Sequence, residues 1–185
     1  MTSGGDQQIV TCSSRTVYSN PWVSVREDEI TWPDGSPGIH AVMDKRPGAL
    51  VVPWDGARIT LVGMVKYPTQ RFLWELPQGA LDDSADASAE ETARTELLEE
   101  TGLRAGTLRH LGRVFYAPGI LSQTCDVFLA TELQAGDAQP EATEVGLRTR
   151  AVTPAELDQL ILAGEVADAA TIAALHLVRV NGVQL

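Results

Sequence analysis

The sequence predicts an α/β (α+β) fold, a mixed β-sheet sandwiched between helices and preceded by an N-terminal antiparallel β unit. Three observations lead there. Short runs rich in β-branched residues, punctuated by Pro, Asp and Gly, fill residues 9–77 before any helical period appears. The first helical pattern comes at 88–101, and two more close the chain after a further set of strands. Few helices scattered among many strands is the pattern of a sheet covered on both faces.

Taken in order, residues 1–8, "MTSGGDQQ", read as a loose polar tail with no basic region followed by an apolar stretch, hence no signal peptide. Residues 9–17 and 22–32 read as strands, "PDGSPG" (33–38) as a turn by its Pro, Asp and Gly chemistry, and 39–44 as the returning strand. This makes 9–44 a small antiparallel unit, leaving 45–185 as the main domain. The segments 48–54 and 58–67, joined by Asp55-Gly56, predict a hairpin. "FLWELP" (72–77) is a short strand entering a loop at Gln78-Gly79. In 88–101, Ser88 and Glu91 have capping-box spacing, Gly102 stands where a left-handed cap belongs, and Ala89, Ala93 and Leu97 form an apolar stripe. Strands follow near 107–116 and 123–131, then a polar loop at 132–144, a strand at 147–152, a helix opened by "TPAEL" (153–157) and an amphipathic helix at 168–180.

A chain of 185 residues, 44% apolar, can bury a core as one domain with a small appended element. Its formal charge of −11 opposes binding to nucleic acid or to an anionic membrane. No apolar run reaches the roughly 18 residues a membrane span requires. Two distant cysteines, Cys12 and Cys125, predict free thiols in a reducing compartment. A cytoplasmic protein is the expectation.

The charge is unevenly spread. Residues 75–100 hold nine acids against one base, Arg94. On a helix, Glu96, Glu99 and Glu100 project within one sector, opposite or beside the Ala93–Leu97 stripe. Clustered carboxylates, with a bare carbonyl from the Gln78-Gly79 turn to complete an oxygen cage, suit Mg²⁺ or Mn²⁺ better than zinc. A solvated acidic face is the plainer alternative.

"ELPQG" (75–79), "GALDDSADASAEETARTELLEETGL" (79–103) and above all "ELLEETGL" (96–103) resemble the Nudix box, the loop–helix–loop signature of hydrolases that cut diphosphates linked to another moiety. The resemblance implies the Nudix fold over most of 45–180. It implies Glu96, Glu99, Glu100 and the Gln78 carbonyl as metal ligands, with Glu99 and Glu100 at the heart of catalysis. Two departures stand out. Thr95 occupies the position of the box arginine, with Arg94 one residue early, and the loop after Gly79 is two residues longer than the box. An Asp86–Arg94 pair is one candidate substitute for the missing salt bridge.

Other segments resemble the ADP-ribose pyrophosphatase branch of the family. "YAPGILSQ" (116–123) places Pro118 sixteen residues after Gly102, "YSNPWVSV" (18–25) is similar to the sheet those enzymes exchange in a homodimer, and "ADAATIAAL" (167–175) is similar to their last helix. The branch implies a catalytic glutamate from the loop 132–144, with Glu144 the best positional match and Glu141 the second. Lys66 and Arg71 are candidate phosphate contacts, Trp32 a candidate adenine platform (or a hairpin-packing residue), and Glu75 an acid behind the ligands. His40, His110 and His176 are expected to be structural or exposed. The implied activity is Mg²⁺-dependent hydrolysis of ADP-ribose or a related nucleoside diphosphate sugar to AMP and ribose 5-phosphate. Another Nudix substrate, or a non-catalytic ADP-ribose-binding module, are the rivals.

Overall fold

Two apolar faces on one strand organise the larger part of the molecule. A computed structural model describes residues 8–81, 88–136 and 146–185. Its strands are β1 (Val10–Ser19), β2 (Ser24–Thr31), β3 (Pro37–Asp44), β4 (Gly48–Pro53), β5 (Ile59–Lys66), β6 (Arg71–Glu75) and β7 (Gln78–Ala80), then β8 (Leu103–Phe115), β9 (Thr124–Ala135) and β10 (Arg148–Val152). The helices are α1 (Ala89–Thr101), α2 (Pro154–Leu162) and α3 (Ala169–Val180). The chain divides into two units: residues 1–46 with 117–123, and 47–116 with 124–185.

Every residue of β4 is buried, so it has to lie inside a sheet with both faces covered. Ala49 and Val51 point to one side and pack with Phe128 and Ala130 of β9 against Ala93 and Leu97 of α1. Leu50 and Val52 point to the other side, into a core shared with Ile59, Leu61, Val127, Leu129, Leu157, Ala174 and Val178. The four-stranded sheet runs β7-β4-β9-β8, with β4 parallel to β9, and a second sheet runs β10-β5-β6. Helices thus cover both sides of a mixed sheet, as the sequence predicts.

The hairpin expected between 48–54 and 58–67 does not form. Its turn is real: Asp55 Oδ1 accepts from the backbone N–H groups of Ala57 and Arg58, and Gly56 has φ of 98°. After a single bridge, Trp54 to Ile59, the strands part into different sheets. With both faces apolar, β4 needs buried ladder partners on both edges; it finds them in β7 and β9, while β5 pairs with β6 and β10. Two further boundaries move. Gln78–Ala80, expected to be loop, is a short strand, and β9 runs on to Ala135, carrying Glu132 at a φ of 56°.

The helix signals hold. Ser88 Oγ caps α1 by accepting from Glu91 N, and Gly102, at φ of 72°, donates to Leu98 O at 2.8 Å. Thr153 and Glu156 form a full capping box on α2, and Asp168 caps α3. Among the described residues no helix is long and apolar enough to cross a membrane. Cys12 and Cys125 are both free, and burial pushes the Cys125 thiol up to about 11.

The first unit is an antiparallel meander, β1-β2-β3. Asp34 Oδ1 and Gly35, at φ of 84°, make its tight turn, and the Trp32 indole lies over Gly38, where a Cβ would strike it. Trp32 therefore packs on its own hairpin while remaining 39% exposed. Residues 117–123 join this unit through hydrogen bonds from Met43 N to Ile120 O and from Ser122 N to Met43 O. All of β1 is exposed, and so is Trp22, which is no core residue.

Candidate active site

The second unit brings two glutamates of α1 onto one peptide. Gly79 pairs with Ala49, so its missing side chain faces α1, and a Cβ there would collide with the Glu96 carboxylate. One residue earlier, Gln78 N donates to Glu100 Oε2 at 3.1 Å. Pro77 O accepts from Val51 N, so Pro77 and Gly79 turn their polar groups toward β4. Antiparallel pairing then turns the N–H and C=O of Gln78 to the outer edge, on the side of Glu100. Glu100 is 5% exposed and is buried with Ala93 and Leu97 on the inner flank of α1, so the sector the glutamates share lies beside the apolar stripe and not opposite it. Glu96 and Glu99 are half-buried. Among the described residues no three acidic, His or Cys side chains close around one point.

Behind this edge lies a polar cluster. Tyr116 Oη donates to Gln78 Oε1 at 2.9 Å, and Gln78 Nε2 donates to Asp168 Oδ2 at 3.4 Å. Asp168 Oδ2 also accepts from Thr171 N at 2.7 Å, and the buried Thr171 Oγ1 accepts from Leu76 N at 3.0 Å. Burial raises the Glu75 carboxyl above the ordinary glutamate range, even though the Lys66 ammonium donates directly to it and pulls the other way. Burial likewise raises the Tyr116 phenol, which keeps its proton and remains a donor.

Comparison with known proteins agrees with this layout. A model described as "NUDIX domain" matches residues 44–175, and one described as "Nucleoside diphosphate sugar hydrolase N-terminal domain" matches residues 9–43. The chain belongs to the Nudix family. It is 30% identical to a Mycobacterium tuberculosis protein named ADP-ribose pyrophosphatase, over 91% of this chain and 82% of that one. It is 28% identical to a Bacillus subtilis protein of the same name, over 90% of each. A solved structure of an "ADP compounds hydrolase" superposes with a TM-score of 0.83 over 96% of this chain and 95% of its own, at 22% identity, and shares the fold.

Within this Nudix domain Arg94 does not take up the role of the missing box arginine. It pairs with Glu90 one turn earlier at 3.0 Å and donates to Ala105 O at 3.1 Å, which directs it toward β8 and away from Gly79. Asp86, its candidate partner, lies outside the described residues, as do Glu141 and Glu144. Lys66 is paired with Glu75, and Arg71 donates to Gly164 O at 2.9 Å. Trp32 and Pro118 belong to the first unit.

Three residues around Gln78 escaped the sequence reading: Tyr116, Asp168 and Thr171. Only the D-x-x-T spacing at the start of α3 gave any signal, and it reads as an ordinary cap. A second cluster was also missed. The buried Asp126 accepts from His110 Nε2 at 2.8 Å and from Arg113 at 2.9 Å. His110 is thus one of three members of this polar cluster, while among the described residues His40 and His176 bond to groups one and three residues away.

Proposed function

We propose that this Nudix hydrolase cleaves the diphosphate of ADP-ribose, or of a closely related nucleoside diphosphate sugar, and yields AMP and ribose 5-phosphate from ADP-ribose. The observation that carries the reading is the meeting of Glu96 and Glu100 on the Gln78–Gly79 peptide. The donors there are carboxylate and carbonyl oxygens, and the missing side chain of Gly79 lets the Glu96 carboxylate approach the backbone, which fits Mg²⁺ or Mn²⁺. Glu96, Glu99, Glu100 and the Gln78 carbonyl would hold the ion. Once bound, it would supply positive charge to offset the diphosphate against a chain of net charge −11.

The residues of the chain do the rest. Water adds across one P–O bond of the bridge: its oxygen joins phosphorus, the bridging oxygen leaves with the other phosphate, and a proton passes to a carboxylate. Glu144 is the proposed base and Glu141 the second choice. Lys66 and Arg71 are the proposed phosphate contacts, a point charge and a planar fork respectively. Trp32 is the proposed aromatic platform for adenine, and Pro118 a further proposed substrate contact. The exposed apolar residues of the first unit, Val10, Val17, Tyr18 and Trp22, support a homodimer, and sedimentation of the whole chain tests it. The cytoplasm is the proposed compartment. The names of the relatives support the substrate class.

The deciding assay is hydrolysis of ADP-ribose with Mg²⁺, coupled to phosphatase release of phosphate, beside a panel of nucleotide sugars and Glu100→Gln. Preference for ADP-ribose, lost in the variant, is expected. Turnover of another panel member would replace the substrate and keep the chemistry. ADP-ribose bound but never cleaved would make the protein a binding module, with Thr95 the first place to look.

A further inference from the structure

β7 is three residues long and pairs on one side only, with β4. A strand that short contributes few ladder bonds, yet its Gln78 must present both an N–H to Glu100 and a carbonyl to the same edge. The Gln78 side chain supplies what a second neighbouring strand would. Its amide nitrogen donates to Asp168, while its amide oxygen receives the Tyr116 hydroxyl. Only this orientation of the amide satisfies both the Asp168 carboxylate and the Tyr116 phenol, because the NH₂ donates and the oxygen accepts. Two residues earlier the chain is tied to α3 again, where Leu76 N donates to Thr171 Oγ1. Asp168 and Thr171 are both on the first turn of α3, so the start of that helix grips residues 76–78 at two points.

We propose that Tyr116 and Asp168 are positioning residues that lock the Gln78 side chain, and through it hold the Gln78 peptide and Glu100 in the geometry that receives the cation. This rests on the metal-dependent reading above. Groups that orient ligands from behind commonly change metal affinity by about 10- to 100-fold when removed. Residue 78 would then serve twice, by its backbone toward the carboxylates and by its side chain toward α3.

The test measures Mn²⁺ binding to the metal-free full chain by electron paramagnetic resonance, in which free Mn²⁺ gives the signal. Tyr116→Phe and Gln78→Met each keep side-chain volume and remove hydrogen bonds; both are expected to weaken Mn²⁺ binding at least fivefold, without changing the far-ultraviolet circular dichroism or the melting of the metal-free protein. Asp168→Asn, which still accepts from Gln78 and Thr171, is expected to stay closer to wild type than Asp168→Ala. Tyr18→Phe, in the first unit, controls for loss of a tyrosine hydroxyl. Thr171→Val, isosteric and buried, tests the second grip should Gln78→Met fold poorly. Shifts below fivefold in both Tyr116→Phe and Gln78→Met overturn the proposal. Wild-type protein that binds no Mn²⁺, or binds it equally well after Glu100→Gln, overturns instead the metal reading on which it stands.

Discussion

The carboxylate of Glu96 lies where a side chain on Gly79 would have to be. Helix and entry strand are thereby fitted to each other at the one point where the carboxylate must approach a backbone. A Gly79→Ala substitution forces either Glu96 or β7 to move. Metal affinity and turnover are expected to fall about 10- to 100-fold, while unfolding by urea changes little, since Gly79 is only half-buried on an edge strand. Mn²⁺ titration beside a denaturation curve checks both halves; unchanged affinity would refute it.

Arg94 makes the opposite forecast. Among the described residues its contacts are an exposed one-turn pair with Glu90 and the Ala105 carbonyl, both away from Gly79. Exposed pairs of this kind are worth about 0.3–0.5 kcal/mol. Arg94→Ala is therefore expected to leave kcat/KM within about threefold of wild type, roughly 0.65 kcal/mol in barrier height. A loss of a hundredfold in steady-state kinetics would mean that Arg94 acts in the site after all.

Leu97 stands one residue from Glu96, about 100° round the helix, and is fully buried against Val51 and Phe128. Leu97→Ala should cost about 2–5 kcal/mol of stability, the range for a leucine truncated in a packed core. Urea denaturation measures it. Because α1 carries the glutamates, metal should recover part of the loss, and adding Mn²⁺ should raise the midpoint of the variant as well as that of the wild type.

The Asp126 cluster sets an acid limit. Burial raises this carboxyl, but Arg113 and His110 more than offset the effect and hold it below the usual aspartate range. A depressed folded value means that ionised Asp126 contributes stability above its unfolded pKa of about 3.9, and that this is lost as pH falls through the folded value. Asp126→Asn should thus be less stable than wild type at pH 6, with the gap closing below about pH 4. Melting temperatures across that window decide it; a gap that widens on acidification would contradict the sign.

Much of the site was legible in the residues because local chemistry writes itself locally. The spacing of Ser88, Glu91 and Gly102 marks where α1 starts and stops whatever surrounds it, and within the helix the same spacing puts Glu96 and Glu100 one turn apart. Gln78-Gly79 marked the entry. What the spacing could not decide was direction. The helical wheel leaves Glu100 opposite or beside the apolar stripe; the structure buries it with Leu97, where the backbone N–H of Gln78 donates to it. Arg94 reads as a near substitute for the box arginine, yet one residue of displacement on a helix turns it about 100° and hands it to Glu90.

The pairing of strands lay further out of reach. Asp55-Gly56 makes its turn as its composition requires, but a turn fixes only four residues, and β4 and β5 are claimed by different sheets once their apolar faces are buried. The grip on Gln78 joins residues 78, 116 and 168, whose sequence separations carry no periodic signal. On its own, the sequence determined the helix with its acids, its caps and the chemistry of its donors, because those depend on neighbours within a turn. The tertiary structure decided which backbone those acids meet and what holds that backbone in place, because such contacts form only when distant segments share one core.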